Sequence, residues 1–364
     1  MYGTATNGGY INKYACGATG CGVAFELDAS GKESVITFFV GTPEGTNPTA
    51  GVVLDSTGNI YGTSPGGFAG AGTIFKGFPQ APNGGLVLYT FQGGTDGKTP
   101  QAGVIRAASG NLYGTTVDGG ANGAGVIYEL NSRFTQSVLV NFCANVNCTD
   151  GANPKAGLTR DSAGNFYTTT YGGGAHGQGE VLELELKATA PTILHSFTGG
   201  ADGGQPVAGV IRDSQGNLYG TTSTGGNLSG VCGALGGCGV VFKLDTSGVL
   251  TPLHAFTGGA DGATPYGRLL LARGKLYGTT VSGGDLSGCG GAGCGVVFVV
   301  DPATAKERPL HRFTGGADGA NPYVGVIADG SGNLYGTAAY GGDLTSTLPS
   351  CAGKGCGVVF KLTP

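Results

Sequence analysis

The stretch AGVIRDSQGNLYGTTSTGGNLSGVCGALGGCGVVFKLDTSGVLTPLHAFTGGADGATP, residues 208–265, decides the fold. It holds four short runs of strand-forming residues, AGVIRD, NLYGTT, GVVFKL and LTPLHAF, here called strands A to D. SQG separates A from B and DTSG separates C from D, and both are tight-turn signals. Nothing in the stretch has helical periodicity. The tyrosine of strand B recurs as Tyr2, Tyr61, Tyr113, Tyr167, Tyr219, Tyr277 and Tyr335, at spacings of 59, 52, 54, 52, 58 and 58 residues. Periods in this range signal propellers, solenoids or arrays. Solenoid coils are typically shorter and need no tight hairpin at every turn. Seven repeats of four antiparallel strands therefore predict an all-β, seven-bladed propeller filling residues 1–364 as a single domain.

Strands B and C occur seven times, A and D six times each. The first repeat lacks its A and the last lacks its D, so the first and last blades are incomplete in this chain. In the repeat, D runs directly into the next A. One D-plus-A stretch ahead of Met1 would supply both, and the expectation is about 25 or more residues upstream, preceded by an export signal. The alternative is self-association, with the incomplete terminal blades pairing between molecules.

Composition excludes several classes. Gly supplies 77 residues without a three-residue period, which excludes collagen, and 40% hydrophobic content suffices for packed cores. The net charge is −4 and the 19 basic residues form no stripe, which argues against nucleic acid as a partner. No apolar run reaches the length of a transmembrane segment, and MYGTATNGG is no signal peptide.

All ten cysteines fall into close pairs: Cys16/Cys21, Cys143/Cys148, Cys232/Cys238, Cys289/Cys294 and Cys351/Cys356. None has the C-x2-C spacing of a zinc site. Disulfides closing small loops fit best, with free thiols and a metal as the alternatives. Disulfides imply an oxidising compartment, hence an extracellular or cell-surface location.

GNLYGTT followed by GG, then GVVFKL, then FTGGADGANPY, resembles the GloVer tandem repeats of bacterial choice-of-anchor proteins. The likeness covers essentially the whole chain. It implies an exported or surface-attached β-propeller and carries no established activity with it.

In an up-and-down blade the A–B and C–D turns share one rim, and the B–C and D–A connections share the other. The second set is long and variable, so function is expected there. Repeats 1, 5, 6 and 7 have long cysteine-stapled B–C loops and repeats 2, 3 and 4 short ones. In a closed ring this reads as a wall over one side, shaping a groove for an extended ligand, or as a relic of repeat duplication.

Residues that break the repeat are the candidate ligand contacts. Glu180 stands in the place of Val240, with His176 just before it. Arg268 is read as replacing Val210 near the start of strand A, with Tyr266 two residues earlier. Tyr10 and Tyr14 lie in the first B–C loop and could stack on sugars. Sequence drift is the competing account for Glu180 and Arg268, and a solvated loop residue for His176. His195, His254 and His311 share one position in strand D and are too dispersed for a catalytic cluster. Asp202, Asp261 and Asp318, with Asp96 and Asp150 in looser copies, read as turn residues. One Asp per loop falls short of a calcium site. No G-x-S-x-G, H-E-x-x-H or P-loop appears, so no catalytic set, cofactor or metal is expected.

Three functions remain. The first is a surface binding module for an extracellular polymer, foremost a polysaccharide. The second is a structural subunit of a surface layer or filament, and the third a secreted glycan hydrolase or lyase using Glu180, His176 or Arg268.

Overall fold

The computed structural model describes residues 1–9, 16–41, 44–67, 70–81, 84–346, 351 and 353–364. Its strands form seven antiparallel sheets, the blades of a seven-bladed β-propeller. Blade 1 is β1 (Tyr2–Ala5), β2 (Val23–Leu27) and β3 (Glu33–Phe38). Blade 2 is β4 (Val53–Leu54), β5 (Ile60–Ser64), β6 (Thr73–Gly77) and β7 (Gly85–Thr90). Blade 3 is β8 (Ile105–Arg106), β9 (Leu112–Thr116), β10 (Val126–Leu130) and β11 (Gln136–Asn141). Blade 4 is β12 (Thr159–Arg160), β13 (Phe166–Thr170), β14 (Glu180–Leu184) and β15 (Thr192–Ser196). Blade 5 is β16 (Ile211–Arg212), β17 (Leu218–Thr222), β18 (Val240–Leu244) and β19 (Leu250–Ala255). Blade 6 is β20 (Leu270–Ala272), β21 (Lys275–Thr280), β22 (Val296–Asp301) and β23 (Lys306–Arg312), and blade 7 is β24 (Ile327–Ala328), β25 (Leu334–Ala338) and β26 (Val358–Leu362). Among the described residues blades 1 and 7 have three strands each, as the sequence pattern requires.

The A strands are shorter than AGVIRD suggests. β16 pairs only Ile211↔Tyr219 and Arg212↔Leu218. The residues before it serve the neighbouring blade instead. Thr4, Thr63, Thr115, Thr169 and Thr279 each donate a hydroxyl hydrogen bond, at 2.7–3.1 Å, to Ala50, Ala102, Ala156, Ala208 and Val324 carbonyls of the next blade.

The hairpins follow from their turn chemistry. In the A–B turn of blade 5, Asp213 Oδ1 accepts from the Gln215 and Asn217 backbone N–H groups. Its Oδ2 accepts from the Asn217 amide at 2.8 Å and the Tyr219 hydroxyl at 3.1 Å. This local network costs the chain little to order, because all partners lie within six residues.

The chain forms two compact units, Met1–Phe166 with Leu184–Pro191, and Tyr167–Glu183 with Thr192–Pro364. Each has its core between adjacent blades. In the first, Phe39 at the end of a D strand meets Phe75 of the next C strand edge-on at 4.9 Å. In the second, Phe197 meets Phe242, Phe256 meets Phe298 and Phe313 meets Phe360 in the same way, at 5.1–5.2 Å. Edge-to-face pairs add to the area these rings bury. At these four joints the phenylalanine that ends the D strand is thus the bolt between one blade and the next.

The ten cysteines form five disulfides with the pairing expected from spacing: Cys16–Cys21, Cys143–Cys148, Cys232–Cys238, Cys289–Cys294 and Cys351–Cys356. Cys21, Cys238 and Cys294 each stand two residues before a C strand and are buried. Their carbonyls accept from the backbone N–H groups of Asn47, Thr264 and Asn321, at 2.7–2.8 Å. At that end each stapled B–C loop is therefore tied to the D–A loop that follows, not free above the blade. Cys356 holds the same position in blade 7 but is exposed, because among the described residues no D–A loop follows it. Among the described residues no helix is long and apolar enough to cross a membrane.

Candidate functional site

The strand register corrects one reading. Leu270 pairs with Tyr277 as Ile211 pairs with Tyr219. Leu269, buried like Val210, therefore takes the place of Val210. Arg268 replaces not Val210 but the glycine before it, Gly209. The sequence reading slipped by one residue because LARGK shortens the turn that follows. That glycine matters for backbone contact. In blade 7 a Cβ on its counterpart, Gly325, would run into the Arg268 carbonyl oxygen. Blade 6 keeps the close approach by placing glycine one residue earlier: a Cβ on Gly267 would lie 2.5 Å from the Gly325 nitrogen. The segments Tyr266–Arg268 and Tyr323–Gly325 consequently run side by side.

This exchange has a local consequence. Thr221 is the counterpart of the threonines that bond the next blade, and its hydroxyl is buried without a hydrogen-bond partner among the described residues. The ladder that holds the inner strands together is interrupted where Arg268 enters. Broken local rules cluster at functional positions.

Around Arg268 the second unit gathers tyrosines. Tyr266 and Tyr323 follow the prolines of two D–A loops, and their rings lie 5.9 Å apart at 47°. Tyr171, whose hydroxyl donates to Gln205 Oε1 at 3.2 Å, is an electrostatic neighbour of Tyr266. Tyr340 stands in the same relation to Tyr323, and the Lys354 ammonium lies 5.7 Å over the Tyr340 ring. Tyr171, Tyr266, Tyr323 and Tyr340 form one row across blades 4 to 7. Burial first, then the neighbouring phenols, raise the Tyr266 and Tyr323 pKa values above the ordinary tyrosine range. Both rings are therefore neutral at physiological pH. Tyr323 remains 45% exposed. Solvent also reaches Arg268, while crowding by surrounding protein lowers its pKa from the usual guanidinium value. It stays charged, since an arginine begins so far above neutrality.

The other expected residues are elsewhere. Glu180 does occupy the place of Val240, opposite Ser196 as Val240 is opposite Ala255. It is fully buried, and its Oε1 accepts from the Ser196 hydroxyl at 2.7 Å. His176 is exposed on its loop. Tyr10 and Tyr14 lie outside the described residues. Tyr171, Tyr323 and Tyr340 escaped the sequence reading. For Tyr323 the signal was present: it follows Pro322 as Tyr266 follows Pro265, where the other repeats have Thr49, Gln101, Lys155 and Val207.

The three strand-D histidines act as loop clamps. His195, His254 and His311 each place Nε2 3.0 Å from Asp202, Asp261 and Asp318 respectively. Each aspartate also accepts from the backbone N–H and hydroxyl of Thr198, Thr257 or Thr314. The turn reading of these aspartates accounts for the bonds from the threonine backbone N–H groups, while the histidine contacts are an addition the sequence did not display.

The chain belongs to the Gloeobacter/Verrucomicrobia repeat family, which matches residues 1–231 and 231–364. No curated protein matches the sequence. Among solved structures it is similar to a Bacteroides uniformis protein provisionally named a 6-phosphogluconolactonase, at 15% identity and a TM-score of 0.56, covering 99% of this chain and 98% of that one. It is also similar to a chain of the nidogen/laminin complex, at 12% identity and a TM-score of 0.50, covering 85% and 92%. A third is the extracellular domain of a B. thetaiotaomicron protein provisionally named a hybrid two-component system, at 11% and 0.55, covering 95% and 36%. At these identities the likeness is one of fold alone.

Proposed function

We propose that the protein is an exported binding module that holds an extracellular polysaccharide against the tyrosine row of blades 4 to 7. The observation that carries this reading is the tilted Tyr266–Tyr323 pair, Tyr323 exposed and Tyr266 half-buried, with Arg268 beside it. Neutral phenol rings offer apolar faces to the C–H faces of sugars and hydroxyls to their polar edges. Arg268 and Gln205 add hydrogen-bonding groups, and Arg268 favours acidic sugars through its charge. Five disulfides support an oxidising, extracellular setting. The catalytic alternative loses support because Glu180 is enclosed rather than presented to a substrate.

Affinity electrophoresis through gels containing neutral and uronate-bearing polysaccharides tests the reading. Retardation in at least one gel is expected, with Tyr266→Ala and Tyr323→Ala each weakening it by about tenfold, or about 1.4 kcal/mol. Unchanged mobility across the panel, or retention indifferent to both substitutions, would rule it out.

A second reading, a structural subunit, draws on Leu228, Leu286 and Leu344. They stand exposed after equivalent Asn227, Asp285 and Asp343 turns. Assembly that Leu286→Asp abolishes would favour that reading over the first.

A further inference from the structure

Three D strands share one position where they meet the preceding blade. It holds Gln136 opposite Leu130 in β11, Leu250 opposite Leu244 in β19 and Glu307 opposite Val300 in β23. The bulge of each strand pair falls at the same point, so the three positions are equivalent.

Gln136 shows what a hydrogen-bond donor does there. Its side-chain amide donates to the Asp96 backbone carbonyl at 3.1 Å. Asp96 is the loop aspartate of blade 2, whose Oδ2 accepts from the Tyr89 hydroxyl and the Gln92 backbone N–H. The bond therefore ties strand D of blade 3 to the D–A loop behind it. Leu250 keeps the same place apolar and joins the core of blades 4 and 5.

Glu307 brings a carboxyl group to this place. Its Oε1 is buried without a hydrogen-bond partner among the described residues. Val300 faces it from β22, and its charged neighbours are His254 on β19, Asp261 in the loop after β19, and Arg308 and Arg312 on its own strand. His254 Nε2 lies 3.0 Å from Asp261, and Arg312 Nε donates to the Ala260 carbonyl of the same loop at 2.7 Å. Burial raises the Glu307 carboxyl to about 7, Asp261 adding to the shift while His254 and the two arginines oppose it.

An amide carries N–H donors at every pH, whereas a carboxyl group carries a donor only when protonated. A carboxylate in the place of Gln136 meets a carbonyl, a second acceptor, with the negative Asp261 close by.

We propose that Glu307 is a proton-operated latch between blades 5 and 6: its protonated carboxyl donates to the Asp261 backbone carbonyl, as the Gln136 amide donates to that of Asp96, and its ionised form releases the bond. One proton passes between solvent and carboxyl, and no covalent bond changes. The carboxyl holds its proton more tightly in the folded chain than in the unfolded one. The latch therefore stabilises in acid, and its contribution is lost as pH rises through about 7. The loop it holds ends at Pro265 and leads into Tyr266, so acid firms the support of that ring. The latch does not depend on what the tyrosine row binds.

Melting temperatures of the full, oxidised chain at about pH 5.5 and pH 8 test it, read as differences from the wild type so that other titrating groups cancel. Glu307→Gln donates at every pH. It should match the wild type at pH 5.5 and melt about 2 °C above it at pH 8. Gln136→Glu should transplant the behaviour, matching the wild type at pH 5.5 and melting below it at pH 8. By NMR the Asp261 backbone carbonyl carbon should move with the Glu307 carboxyl carbon as pH is lowered. In Glu307→Gln it should hold its acid position throughout. A Glu307→Gln difference that is the same at both pH values overturns the proposal. So does an Asp261 carbonyl that stays still while Glu307 titrates, or that still moves in Glu307→Gln.

Discussion

At Gly239 the backbone has φ +92°, and an added Cβ would run into the Thr222 carbonyl and sit 2.6 Å from the Pro265 ring. This is the glycine that opens GVVFKL, and it lets the D–A loop fold back onto the start of strand C. Gly239→Ala should cost about 2 kcal/mol or more, from the left-handed backbone and the clash together, read as a lower urea midpoint. Arg268 is the other telling residue. It stands where the repeat has glycine, and Gly267 moved beside it to preserve the backbone contact. The sequence displayed Arg268 as an anomaly but not its partner residues, because alignment by letters alone slipped by one position.

At the scale of elements, the turns explain where the aspartates go. Asp213, Asp202, Asp261 and Asp318 have pKa values below the ordinary range: burial works against this, and hydrogen bonds from Asn217 or from the threonine and histidine partners outweigh it. The depressed folded pKa means the unfolded chain takes up protons first on acidification. Stability from these groups is fully present above about pH 4 and is lost as pH falls through the folded values. Their contribution to the melting temperature should accordingly be constant down to about pH 5 and fall steeply below about pH 4. Glu307, raised to about 7 by burial, works the other way, so the melting temperature should rise as pH falls from neutrality to about pH 5 before it drops. Asp261→Asn should remove about 1–2 kcal/mol by weakening the bonds from Thr257 and His254, measured by denaturant titration. These turns were legible in the sequence, since each network closes within a few residues.

For the molecule as a whole, the disulfides and the blade joints set the stability. Each short loop contributes about 2 kcal/mol by restricting the unfolded chain. Full reduction should lower the melting temperature. Cys232 and Cys238 are both buried, whereas Cys143 and Cys148 are partly exposed. Timed alkylation under mild reductant should label the second pair first, and the reverse order would contradict the burial of the first.

The sequence by itself determined the number of blades, the strand order within each, the turn chemistry and the cysteine partners. All of these rest on neighbours within one repeat, and the repeat is written seven times. Only the tertiary structure decided that Tyr171, Tyr266, Tyr323 and Tyr340 share one surface with Arg268, that Glu180 is sealed away with Ser196, and that Glu307 lies beside His254 and Asp261. The tyrosine surface and the setting of Glu307 depend on what the neighbouring repeat or strand brings to each side chain, and the burial of Glu180 on how its blade is packed, none of which local pattern encodes.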